Sequence, residues 1–160
     1  MKDYERVRNQ LVELTQPLVE EPIQAIGYFM REGVTQDSWR KGPRWLRRTL
    51  APREGVPGDQ LGMFSLIVLT PTRILLVKAG PGAPVCRPKR VVGAWPRSAV
   101  ALTRETVTTE SYSEHSGTTR TRVWRVTLTF TDGTQPLEMD FLARDGLAKE
   151  ALPALEAALA

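Results

Sequence analysis

Apolar positions over the first eighteen residues recur at helical spacing: Tyr4, Val7, Leu11, Leu14 and Leu18 fall every three or four residues and share one face. The spacing predicts a helix over 1–18, with Pro17 disturbing its last turn because proline lacks the donor a helix interior needs. From 22 to 31 the rhythm changes, and Ile23, Ile26, Tyr28 and Phe29 describe a strand apolar on both sides. The stretch 32–60 holds Gly33, Gly42, Pro43, Pro52, Gly55, Pro57 and Gly58, so it is expected to be a long connection with one short helical turn over 45–50. Connections of this length are usually functional or mobile.

Two β-rich runs, 63–69 and 74–79, flank Thr70-Pro-Thr-Arg73, where Pro71 suits the second position of a turn, and together they predict a hairpin. A Gly-Pro loop over 80–84 leads to a short strand over 90–95, stopped at Pro96. Residues 100–109 alternate and are rich in Thr and Val, whereas 110–119 has the composition of a polar loop. Then Trp124, Val126, Leu128 and Phe130 point one way while Arg125, Thr127 and Thr129 point the other, the pattern of a half-buried strand. Asp132-Gly133 signals a hairpin, after which Leu137, Met139 and Phe141 continue the inward face. Asp145 is placed to cap a closing helix over 145–160 whose apolar face holds Ala148, Ala151, Leu152, Leu155 and Leu159. Pro153 predicts a bend or a restart inside it.

With 160 residues and 41% apolar content, one domain around one core is expected. The longest apolar stretch, 61–69, falls well short of the roughly 20 residues a membrane-spanning helix needs. The charged start leads into no apolar signal segment, so a soluble cytoplasmic protein is expected. The single Cys86 leaves no internal disulfide, in keeping with a reducing compartment.

Charge alters this picture most. Between Arg31 and Arg104 lie 14 of the 22 Lys and Arg residues and only four acids, a net of +10, so the remainder is −6. Segregation of this kind points to a cationic face that meets something anionic. The densest run places Trp39, Arg40, Lys41, Arg44, Trp45, Arg47 and Arg48 within ten residues, where guanidinium groups suit phosphates and indole rings suit a headgroup boundary or a stacked base. The same pattern also fits Trp rings that cover the fold and Arg residues that are simply solvated. A second group, Lys78, Arg87, Lys89, Arg90 and Arg97, flanks the Gly-Pro loop and equally fits scattered loop charge.

Seven candidate strands closed by a C-terminal amphipathic helix form a pattern that resembles the bacterial pleckstrin-homology-like (PH-like) domains, related in architecture to GRAM domains. The local cues are Leu69-Thr-Pro-Thr-Arg-Ile-Leu-Leu-Val77, similar to a hairpin of those families, and Val91-Val-Gly-Ala-Trp-Pro-Arg97 after it. The resemblance covers about 22–160. It implies an α+β fold: a seven-stranded antiparallel bent barrel over 22–142, an added N-terminal helix, and a C-terminal helix plugging one end. It also implies a non-catalytic binding role in which the first interstrand loops meet ligand, and the basic connection 32–60 occupies the first of these. The candidate second strand, Phe64-Ser-Leu-Ile-Val-Leu69, carries no basic residue, which favours general anionic attraction over headgroup-specific recognition.

Catalytic chemistry finds little support. His115 is the sole histidine, in a polar loop, and no spacing supplies partners for a zinc site or a triad. Cys86 becomes a nucleophile only if its pKa is lowered beside Arg87. Glu138 and Asp140 share one strand face and fit a paired-carboxylate site, but they oppose the inward set and better suit a solvated face. The expectation is a module without cofactor or metal, recruited to an anionic lipid surface at the inner membrane face or to an acidic protein partner. Three alternatives stand beside it: nucleic-acid binding by the same Arg and Trp residues, an enzyme or small-molecule carrier using a cavity in the barrel, and an assembly subunit using the first helix in a homo-oligomer.

Overall fold

A computed structural model describes residues 3–31, 64–82, 85–115 and 117–160. The elements run α1 (Asp3–Thr15), β1 (Ala25–Arg31), β2 (Phe64–Leu69), β3 (Arg73–Gly80), β4 (Arg87–Pro96), β5 (Val100–Ser113), β6 (Gly117–Phe130), β7 (Leu137–Leu142) and α2 (Gly146–Leu159). Two short 3-10 turns, Gln16–Leu18 and Arg97–Ala99, punctuate them. The expected turn over 45–50 and the residues of the 39–48 run lie outside the described residues.

The fold is α+β, with a four-stranded antiparallel sheet (β4-β3-β2-β1) and a three-stranded one (β7-β6-β5). β1 serves both: Ala25 to Phe29 pair with β2, and Met30 and Arg31 pair with β7. β4 and β5 stand at the two ends of the strand order and share no ladder, so among the described residues the sheets do not form a closed barrel. The Arg97–Ala99 turn redirects the chain between these two strands.

Both faces of the first sheet are covered, which explains why β2 and β3 are almost unbroken apolar runs. Phe29, Ile67, Leu69, Ile74, Leu76 and Trp95 face inward and meet Val126, Leu128, Met139 and Phe141 of the second sheet, with Ala148, Leu152 and Leu155 of α2 packed into the same core. On the outer face Ile26, Leu66, Val68, Leu75 and Val77 pack with Leu11, Val7 and Val12 of α1. Each such buried aliphatic side chain contributes roughly 1.5–3 kcal/mol relative to exposure. The apolar stripe of the first helix therefore lies against its own sheet, although Leu14 stays 44% exposed.

Several expectations about boundaries change, each for a physical reason. The first strand starts at Ala25 rather than 22, because the Gln16 side chain accepts from Ile23 N–H at 3.2 Å and donates to the Glu21 carbonyl at 2.9 Å, tying 21–23 back to the end of α1. β4 reaches back to Arg87 through two irregularities opposite Leu76/Val77 and Lys78/Ala79. The 110–119 segment is not a polar loop: β5 and β6 remain paired from Val100↔Phe130 to Ser113↔Gly117 without a register shift. Thr side chains are β-branched and favour extended backbone despite their polarity. Only residues near His115 turn, and Gly117 takes the positive φ of 72° that closes the hairpin. Finally, α2 runs through Pro153 without a restart; Pro153 and Lys149, whose carbonyl the proline cannot serve, are both on the exposed face. The expected cap holds, with Leu147 N–H donating to Asp145 Oδ1 at 3.0 Å.

Candidate functional site

The cationic residues that the fold brings together belong to the β3–β4 hairpin. β3 alternates strictly, so Ile74 and Leu76 point into the core and Lys78 and Gly80 follow them on the same face. Lys78 lies opposite Arg90, and Gly80 opposite Arg87. Lys89 is the extra residue of the irregularity between those pairs, and its aliphatic stem crosses Gly80 so closely that a Cβ there would stand 2.6 Å from Lys89 Cε. The open face of Gly80 gives the end of the lysine side chain room beside the strand.

Four cations thus crowd the end of one hairpin. None of Lys78, Arg87, Lys89 and Arg90 forms an ion pair with a described residue. Arg87, Lys89 and Arg90 are exposed and Lys78 is half-buried. The ladder Phe29↔Ser65↔Lys78↔Arg90 runs across the whole sheet at this level. β1 therefore ends, and β2 begins, at the same sheet edge as the basic hairpin. Of the sequence-predicted site, Trp39, Arg40, Lys41, Arg44, Trp45, Arg47 and Arg48 lie outside the described residues.

Arg97 leaves the group. Its Nε donates to the Thr70 carbonyl at 2.9 Å, its Nη2 reaches Gln24 and Thr70, and its N–H bonds the Thr72 carbonyl at 3.0 Å. It ties the β4–β5 junction to the β2–β3 turn and is a structural arginine.

Beside the basic hairpin, on the α1 side of the sheet, lies a pocket of about 330 Å³ lined by Val7 and Leu11 of α1, Tyr28 of β1, Val85 and Cys86 of the β3–β4 connection, and the capping Asp145. Sequence reasoning missed it, since its walls come from four separate segments. Burial pushes the Cys86 thiol above its ordinary value, so the thiol is less ionised than a free one and the nucleophile reading loses its basis. Burial also pushes Tyr28 from 10.0 to about 12, with the charges of Cys86 and Asp145 adding to the shift. The folded state thus favours the neutral phenol. That contribution to stability is fully present below about pH 10 and is lost as pH rises toward about 12. Tyr28→Phe is expected to flatten the alkaline decline in urea midpoint over this window; an unchanged profile would show that another group sets it.

Two acidic expectations also resolve. Glu138 is exposed, but Asp140 is buried, contrary to a solvated face, because Arg125 lies directly across from it and grips both its oxygens, Nε to Oδ1 at 2.9 Å and Nη2 to Oδ2 at 3.2 Å. His115 sits exposed at the β5–β6 tip. A further basic concavity of about 440 Å³, lined by Thr119, Arg120, Thr121, Arg122 and Arg144, escaped the sequence reading because its arginines come from two separate segments, the first half of β6 and the residues past the end of β7. No described helix is long and apolar enough to cross a membrane.

Comparison of the chain with protein-family models, curated proteins and solved structures finds no match.

Proposed function

We propose that the chain is a PH-like, non-catalytic binding module recruited to an anionic membrane surface through its basic face. The fold-level support is the antiparallel run of seven strands in two sheets, followed by a C-terminal helix that packs into the core between them. The observation that carries the functional reading is the hairpin end itself, where Lys78, Arg87 and Arg90 share one face by register and Lys89 crosses the glycine beside them, with no described acid to neutralise them. On this reading the 39–48 run adds its five cations and two Trp residues at the connection that starts and ends on the same sheet edge.

The attraction expected is general rather than specific. Each cation near an anionic bilayer is worth about 1 kcal/mol, so the four hairpin residues supply about 4 kcal/mol before ordering costs, which is weak binding alone. Because exposed charges are screened within a Debye length, binding should fall steeply with added salt.

Wild type should cosediment with phosphatidylserine-containing vesicles at low salt and not with neutral phosphatidylcholine vesicles. Lys78→Glu/Arg90→Glu should lower binding at least about tenfold, since each reversal removes one attraction and adds one repulsion. Reversing Arg44, Arg47 and Arg48 to Glu should do the same. Equal binding to neutral and anionic vesicles, or no response to either set of reversals, would remove the reading.

A further inference from the structure

The two strands at the ends of the sheet order treat their open edges differently. β4 carries Pro88 and Pro96, three cations and two register irregularities, all devices that discourage another strand from pairing. β5 has no proline and no register irregularity, and it carries a single cation, Arg104. It extends for 14 residues, Val100–Ser113, with neither Pro nor Gly nor Lys, and its register with β6 is uninterrupted. Beyond Val107↔Val123 the β5–β6 hairpin also outruns β7, whose pairing ends at Val123↔Leu142, so its distal part is a two-stranded ribbon. Such ribbons are marginal without a further strand.

Which groups the open edge presents follows from alternation. The Arg122 carbonyl accepts from Ala143 N–H at 3.2 Å, so the even-numbered residues of β6 turn toward β7 and the odd-numbered ones toward β5. Through the ladder, odd-numbered residues of β5 bond β6, and the even-numbered ones from Val100 to Tyr112 aim N–H and C=O outward. No backbone hydrogen bond among the described residues reaches that outer edge.

We propose that β5 is the interface of a homodimer, in which two copies pair antiparallel about a two-fold axis at Val107. This inference does not rest on the membrane reading. In that register Thr106 meets Thr108, Arg104 meets Glu110 and Leu102 meets Tyr112, each twice by symmetry. All are even-numbered, so outward donors and acceptors face each other and about a dozen backbone hydrogen bonds form. The side chains agree with the backbone. Opposite charges stand directly across the seam, and Tyr112, 72% exposed in the single chain, gains Leu102 as a cross-strand neighbour. Arg104 and Glu110 already hold Glu156 at 3.2 Å and Arg120 at 2.9 Å, so each cross-pair joins two existing ion pairs. An isologous contact of this kind closes on itself and leaves no edge for further growth at the seam.

The test is the solution mass of the full chain, by sedimentation or light scattering across micromolar to near-millimolar concentration. Twice 17.9 kDa is expected. Thr108→Pro removes an outward donor that β6 does not use, and it should give a monomer with an unchanged circular dichroism spectrum. Arg104→Glu and Glu110→Arg should each weaken the dimer at least about tenfold, and the double reversal should regain most of that loss. A wild type that stays monomeric, or a dimer indifferent to these changes, overturns the proposal. Should Thr108→Pro fail to fold, the loss and recovery across the two reversals decides on its own.

Discussion

Phe141→Ala should destabilise the fold by about 3–5 kcal/mol, the range for emptying a fully buried aromatic site. Phe141 has no solvent exposure, and its ring lies 5.9 Å from that of Phe29 at a 45° tilt. Its position makes relaxation difficult. The ring edge lies where a Cβ on Gly27 would stand only 3.2 Å away, with Ala151 of α2 at 3.3 Å and Ile67 at 3.4 Å from the same point. The first sheet, the second sheet and the C-terminal helix therefore meet around one side chain, and no one element can move inward to fill the space without leaving the others. At about 2–4 °C per kcal/mol, a thermal melt should fall by roughly 6–20 °C. A loss under about 1.5 kcal/mol in urea titration would mean that this junction repacks freely.

Asp140→Ala should cost a comparable amount, about 3–5 kcal/mol, for a different reason. The Asp140 side chain is 7% exposed and that of Arg125 is 18% exposed, so removing the carboxylate leaves a guanidinium in a largely dry site without its bidentate acceptor. The paired replacement Asp140→Leu with Arg125→Met should be far milder, since a buried ion pair often contributes little more than apolar residues of similar volume. The two singles and the double form a cycle in which the double is more stable than either single. Three roughly additive losses would show that the residues do not act as a pair.

Arg125 and Asp140 also show where the sequence was legible. The turn signal Asp132-Gly133 is central to the β6–β7 register, and Arg125 and Asp140 lie equally far from it on either side. Counting outward from that turn would have paired them. Alternation alone put Asp140 on the water side, because it reports a face and not what covers that face. Periodicity located β2, β3, β6, β7 and both helices, since burial on one or two faces writes itself directly into apolar spacing. It did not reveal that α1 covers the outer face of the first sheet; the Leu11 stripe and the Leu66, Val68, Leu75, Val77 set are complementary only in three dimensions. The distal β5–β6 ribbon was illegible because it buries almost nothing, and Thr, Ser, Glu and Arg there look like a loop by polarity while pairing as strands by backbone preference. For the candidate site, Lys78, Arg87, Lys89 and Arg90 were readable as a cluster, whereas the departure of Arg97 depended on the Thr70 carbonyl, a group without sequence identity.

The placement of α1 has a consequence for the order in which the chain assembles. A helix of 13 residues is marginal by itself in water, and the surface that stabilises this one combines nearby Ile26 of β1 with residues more than fifty positions further along. The helix is therefore expected to become stable only once the sheet it docks on has paired, a non-local step that carries a cost of loop closure. Until then Leu66, Val68, Leu75 and Val77 form an uncovered apolar sheet face, a surface prone to aggregation.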